Sequence, residues 1–159
     1  MNGNVEIKNL NIQLGDLGRR RLNLEFLNSI KEINGYLLIS NTSIERLNFE
    51  NLYLIRGDQL VDGSSLIITN NLNLGSVILL NLKHIENGTV RIKNNQKLCY
   101  IHTINWNEFF VYPNERRVIL GNNSIECKKH ENVCKQKNVF QNIIYENNYW
   151  SENICQKRK

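Results

Sequence analysis

The chain has 159 residues, of which 41% are hydrophobic and 22% charged; this suits one globular domain and excludes a disordered or collagen-like polymer. Net charge is +5, and the longest nearly pure apolar run, Ser76 to Leu80, is far short of the ~20 residues a membrane span takes. Met1 leads into Asn2-Gly3-Asn4-Val5 with no basic start and no apolar segment, so no signal peptide is expected in this stretch. There is one proline, Pro113, against 28 asparagines. Asparagine favours turns and the left-handed backbone region, so the chain is expected to turn often.

The same short phrase recurs along the chain, an alternating apolar pair followed by a polar turn. Its copies are Val5-Glu6-Ile7, Leu37 to Asn41, Leu66 to Asn70, Val90 to Asn94 and Val118 to Asn122. A second phrase lies between them: Leu27 to Gly35, Phe49 to Gly57 and Leu80 to Gly88. Each second phrase supplies apolar anchors and then a glycine that lets the backbone turn with positive φ. One such coil cannot bury its own apolar side, whereas stacked coils share a continuous core. The pattern predicts a mostly β leucine-rich solenoid of about five short coils with a few short helices. An antiparallel sandwich would explain the strands but not the repeated glycine-ended phrase.

Strand alternation assigns the faces. With Val5, Ile7, Leu37, Ile39, Leu66, Ile68, Val90, Ile92, Val118 and Leu120 pointing inward, the outward ladder is Glu6, Leu38, Ser40, Ile67, Thr69, Arg91, Lys93, Arg117 and Ile119. Leu38, Ile67 and Ile119 are expected to form an exposed apolar patch flanked by charge, a surface suited to binding a protein. The competing expectation is that the rest of the chain, such as the tail, covers this face.

The run Leu27 to Ile39, the run Phe49 to Gly57, and Leu98-Cys99-Tyr100 followed by Thr103-Ile104-Asn105-Trp106 together resemble the L domains of the epidermal growth factor receptor family. The last two motifs look most like the second L domain (extracellular domain III); the insulin-receptor L domains are a weaker match because they lack Thr-Ile-Asn-Trp. The resemblance implies a right-handed β-helix-like solenoid in a receptor ectodomain, gripping an EGF-like ligand on its strand face. It divides the chain into a receptor L domain over 2–127 and, over 128–159, a degenerate start of a cysteine-rich module or a C-terminal tail. The chain is then expected to be a fragment of a longer receptor tyrosine kinase, with a first L domain and cysteine-rich modules as neighbours.

The same resemblance nominates ligand contacts. Gly15-Asp16 resembles a family Gly-Asp pair whose aspartate meets a ligand arginine, which makes Asp16 the expected charge anchor. Leu38 matches a contact leucine and Arg117 a basic contact position. Glu6, Ser40 and Arg91 occupy ligand-facing positions but differ in type from the vertebrate receptors, so a different ligand is expected. The resemblance also implies a Cys99–Cys127 disulfide, with Cys134 and Cys155 as a second pair, and it aligns Trp150 with a tryptophan that the following module inserts between coils. Plain hydrophobic docking of Tyr145, Tyr149 and Trp150 is the alternative.

Cys127, His130, Cys134 and Cys155 are zinc-type ligands, but their spacing matches no familiar finger and the disulfide claims Cys127, so no metal is expected. Sequons occur at Asn41, Asn87 and Asn122, candidate glycosylation sites whose number is near chance for this composition. His84, His102 and His130 are dispersed and no nucleophile-elbow, phosphate-loop or metalloprotease motif occurs, so neither enzymatic activity nor a cofactor is expected. Arg19-Arg20-Arg21 is a lone basic run, and the basic tail from Lys128 to Lys159 has tyrosine and tryptophan only from Tyr145 to Trp150, with no basic residue interleaved, which argues against nucleic acid as a partner. The expected function is an extracellular ligand-binding receptor module at the cell surface or secreted. The alternative is a stand-alone soluble L-domain protein acting as a decoy or structural repeat.

Overall fold

The computed structural model describes residues 3–10, 23–111, 117–124, 127, 134–136, 144–146, 149–151 and 154–156, the backbone alone for 134–136 and 144–146. Strand β1 is Val5–Lys8, β2 Glu32–Ile33, β3 Leu37–Ser40, β4 Arg46–Asn48, β5 Leu54–Ile55, β6 Ser64–Thr69, β7 Ser76–Ile78, β8 His84–Ile85, β9 Thr89–Lys93 and β10 Val118–Gly121. They stack in sequence order as three parallel sheets, β1-β3-β6-β9-β10, β2-β5-β8 and β4-β7. The chain is therefore a mostly β solenoid, as the repeats require. Five strands line its first side but only three its second, so the five copies correspond to fewer complete coils. The two described helices are single 3₁₀ turns at Glu25–Ser29 and Trp106–Phe109.

Register follows the inward ladder. Val5, Leu37, Leu66, Val90 and Val118 pair in one row, and Ile7, Ile39, Ile68, Ile92 and Leu120 in the next. Those of β1, β3, β6 and β9 are buried, while Val118 and Leu120 are half-buried at the last coil. A parallel sheet whose inner rows are all β-branched or leucine places like side chains over like, and each fully buried one contributes about 1.5–3 kcal/mol. The other two sheets add Ile33, Ile55, Ile85, Leu47 and Val77 to the same core.

The corner after each first-sheet strand is a left-handed asparagine. Asn9, Asn41, Asn70, Asn94 and Asn122 have φ between 52° and 58°, a region where asparagine is the least penalised residue after glycine. The residues after four of them turn inward. Asn71 Nδ2 donates to Asn95 Oδ1 at 2.9 Å, and Asn95 Nδ2 to Asn123 Oδ1 at 2.9 Å. The same amides donate to the carbonyls of Ile39, Ile68 and Ile92 in the preceding coil. Thr42 ends this buried ladder by donating its backbone N–H and its hydroxyl to Asn71 Oδ1, both at 3.0 Å. At the corner between the second-sheet strand and β6, Gly57 has φ +72°, and a Cβ there would stand 2.6 Å from the Asn87 carbonyl oxygen.

The C-terminal part adds two small antiparallel pairs, β11 (Cys134–Gln136) with β12 (Ile144–Glu146) and β13 (Tyr149–Ser151) with β14 (Ile154–Cys155). β13 packs against β7. Trp150 is only 2% exposed and belongs to the solenoid core, its ring edge-on to Trp106 at 5.8 Å. Thr103 Oγ1 accepts from Tyr149 N at 2.8 Å, and Gln156 exchanges hydrogen bonds with the Asn105 backbone. Cys99 and Cys127 form a disulfide with Cα atoms 5.6 Å apart. Cys127 is thereby unavailable to a metal. Cys155 is also disulfide-bonded, while the side chain of Cys134 lies outside the described residues.

Candidate ligand-binding face

The outward side of the five-stranded sheet carries two rows. The first is Glu6, Leu38, Ile67, Arg91 and Ile119; the second is Lys8, Ser40, Thr69, Lys93 and Gly121. The described C-terminal segments 149–151 and 154–156 dock on the β7 side instead, so they do not cover this face. Asp16, the expected charge anchor, lies outside the described residues.

The apolar patch differs from expectation. Ile67 is only 5% exposed, mid-sheet between Leu38 and Arg91. Leu38 and Ile119 are half-buried and lie three strands apart, roughly 14 Å at ~4.8 Å per strand. The face thus offers two separated apolar points with Arg91 between them.

Most of its charges are already partnered. Glu6 accepts from Lys8 and from the Tyr36 hydroxyl, each at 2.5 Å, and these contacts, Lys8 foremost, hold its carboxyl below the usual 4.5. Arg91 reaches back to Asp62, donating to its carbonyl at 2.9 Å and meeting its carboxylate at 3.4 Å. Arg117 donates to the carbonyls of Gly88 and Glu86 at 2.8 and 3.2 Å and lies 4.0 Å over the Phe110 ring. Burial alone pushes its pKa down from the ordinary value. Arg91 and Arg117 therefore hold the rim loops 57–63 and 86–88 in place. Lys93 differs: its stem runs over Gly121, where a side chain would meet it at 3.8 Å, and among the described residues its ammonium has no partner.

The rim has an apolar residue that strand alternation could not reveal. Leu60, 43% exposed, projects from the 57–63 loop against Gly88. That loop is tied to the first coil by Asn4 Nδ2 donating to Gln59 Oε1 at 2.7 Å. At the other end of the strands the corner asparagines Asn41, Asn70, Asn94 and Asn122 line a cleft of about 510 Å³ together with Leu72 and Gln96. Of the three sequon asparagines, Asn41 and Asn122 stand in this outer row, donating to Asn9 and Asn94 at 3.4 and 3.0 Å; Asn87 stands exposed at the opposite rim. The doublets Asn70-Asn71, Asn94-Asn95 and Asn122-Asn123 were the visible signal for the paired ladders.

Among the described residues no helix is long and apolar enough to cross a membrane, and no group of three or more histidine, cysteine, aspartate or glutamate side chains is placed to hold a metal ion.

Comparison with known proteins agrees with this architecture. The receptor L domain family matches residues 1–110. The chain is 33% identical over 143 residues to the epidermal growth factor receptor of Gallus gallus, covering 84% of this chain and 20% of the receptor. It is 36% identical over 132 residues to a putative molluscan insulin-related peptide receptor of Lymnaea stagnalis, covering 80% of this chain and 8% of that protein. To the human receptor tyrosine-protein kinase erbB-4 it is 36% identical over 115 residues, covering 70% of this chain and 9% of the receptor. Identity to the insulin-type receptor is thus of the same size as identity to the EGF-type receptors. The chain spans a fifth or less of the length of these relatives. The protein is a member of the receptor L domain family, similar to segments of EGF- and insulin-type receptors.

Proposed function

We propose that the chain is the ligand-binding L domain of an extracellular receptor, equivalent to the second L domain of the EGF-type receptors, and that it grips an EGF-like protein on the outward side of the β1-β3-β6-β9-β10 sheet. The observation that carries the reading is a parallel five-strand face beside which the described segments 149–151 and 154–156 do not lie, because they dock on the β7 side. Leu38 and Ile119 supply apolar contacts, Ser40 and Glu6 polar ones, and Lys93 a cation free to meet a ligand carboxylate. Asp16 is the proposed charge anchor. Arg91 and Arg117 contribute by holding the rim loops in register, as their intramolecular bonds favour.

In the whole protein, residues 2–127 form the L domain and 128–159 begin a reduced cysteine-rich module, with Cys134 bonded to Cys155. Asn41, Asn87 and Asn122 are its glycan acceptors. A tyrosine kinase, a first L domain and a membrane anchor belong to the remainder of the receptor.

The test is selection of the secreted chain against a display library of EGF-like and insulin-like domains, followed by Leu38→Asp and Asp16→Ala. Capture of an EGF-like domain, weakened at least about tenfold by either change, is the expected result. Capture of insulin-like domains alone, or of neither class, overturns the reading.

A further inference from the structure

Asn87 and Gly88 form the turn from β8 into β9. Gly88 has φ +80°, and a Cβ there would stand 2.6 Å from Leu60 Cδ2 and 2.9 Å from the Ser65 backbone nitrogen. The fold therefore demands glycine after Asn87. The Asn87 backbone is held, its N–H donating to the Arg56 carbonyl at 3.0 Å and its carbonyl accepting from Ser65 Oγ at 2.7 Å. Its side chain is exposed and, among the described residues, hydrogen-bonds to nothing; the Gly88 N–H likewise donates to nothing. Electrophile and nucleophile are thus adjacent and, among the described residues, both uncommitted, the Asn87 side chain exposed and Gly88 half-buried, with no β-carbon on the nucleophilic residue to obstruct their approach.

We propose that Asn87, when it carries no glycan, is a site of spontaneous deamidation. The Gly88 amide nitrogen attacks Asn87 Cγ, the Cγ–Nδ2 bond breaks, and ammonia leaves with the proton that the Gly88 nitrogen gives up. Water then opens the resulting succinimide at either carbonyl, leaving aspartate or isoaspartate at 87. The product puts a carboxylate between Glu86 and Gly88, the two residues whose carbonyls bind the Arg117 guanidinium, and so changes the charge of the strand-face rim. Asn87 also heads the sequon Asn87-Gly88-Thr89; a glycan on Nδ2 occupies the leaving nitrogen, which makes the two modifications alternative fates of one side chain.

The fold provides its own comparison at Asn34-Gly35. There the Gly35 N–H is committed to the Gly3 carbonyl at 3.0 Å, Gly35 is buried and Asn34 is half-buried, so the same dipeptide lacks a free nucleophile.

The disulfide-intact, unglycosylated chain is incubated at mildly alkaline pH, folded and in urea, and Asn87 and Asn34 are followed by peptide mass mapping for a gain of roughly 1 Da, with isoaspartate assayed separately. In the folded chain Asn87 is expected to convert at least about tenfold faster than Asn34, with the two rates converging in urea and the fast phase absent from Asn87→Gln. Equal rates in the folded chain, or faster conversion at Asn34, would overturn the proposal.

Discussion

The side-chain amide of Asn95 donates at 2.9 Å to Oδ1 of Asn123, one coil further on. Asn95 is fully buried, and its own Oδ1 accepts from both the backbone N–H and the amide of Asn71. Each buried asparagine thus satisfies main-chain groups of one coil while linking the next. A chain of this kind raises the cost of losing any member, because the neighbours left behind have no water to turn to.

Asn95→Ala is therefore expected to destabilise the domain by about 2–4 kcal/mol, more than Asn94→Ala in the exposed outer row. Urea unfolding of both variants checks this. Equal losses would mean that the inner ladder carries no special share of the stability.

Cys99→Ser together with Cys127→Ser opens a loop with a sequence separation of 28 residues. On a chain-entropy estimate this costs about 3.5 kcal/mol. Thermal melts of the double variant against the parent measure it; the last coil, whose inward Val118 and Leu120 are only half-buried, should lose hydrogen-exchange protection first.

Trp150 fills core space against Trp106 and Phe109. Trp150→Ala is expected to cost about 3–5 kcal/mol and to release the β13–β14 hairpin, read as faster proteolysis in that segment. Unchanged proteolysis would leave the Thr103–Tyr149 and Asn105–Gln156 bonds as sufficient anchors on their own.

Glu32 joins β2 to β5 through the Tyr53 hydroxyl and Arg56, and Arg56 also meets Glu86 at 3.5 Å. The Tyr53 hydrogen bond first, and Arg56 second, hold the Glu32 carboxyl below its ordinary 4.5. A lowered native pKa means that the unfolded chain binds the proton more readily, so this contribution is complete above the unfolded value and is lost as pH falls through the native one. Melting temperature is expected to decline on acidification from about pH 5 to about pH 3, and less steeply in Glu32→Gln. Parallel slopes for the two proteins would show that the pair is energetically silent, as exposed ion pairs often are.

How much of this was legible depends on which interactions are periodic. The inward rows, the parallel pairing and the outward ladder all follow from alternation within a repeat, because stacked coils place equivalent residues in register. The left-handed corners at Asn41, Asn70, Asn94 and Asn122 were implied by the same repetition. The partnered state of the face was not. Arg91 to Asp62 and Arg117 to Glu86 and Gly88 depend on where the irregular loops 57–63 and 86–88 lie, and loop placement has no period to read.

The sequence by itself determined the solenoid, its strand faces and its family, since these rest on short-range alternation, turn chemistry and motifs repeated along the chain. Only the tertiary structure decided that the buried asparagines form a continuous ladder and that two expected contact arginines spend their hydrogen bonds within the protein. Each of those outcomes joins residues from different coils or segments, brought together by long-range packing that local sequence does not encode.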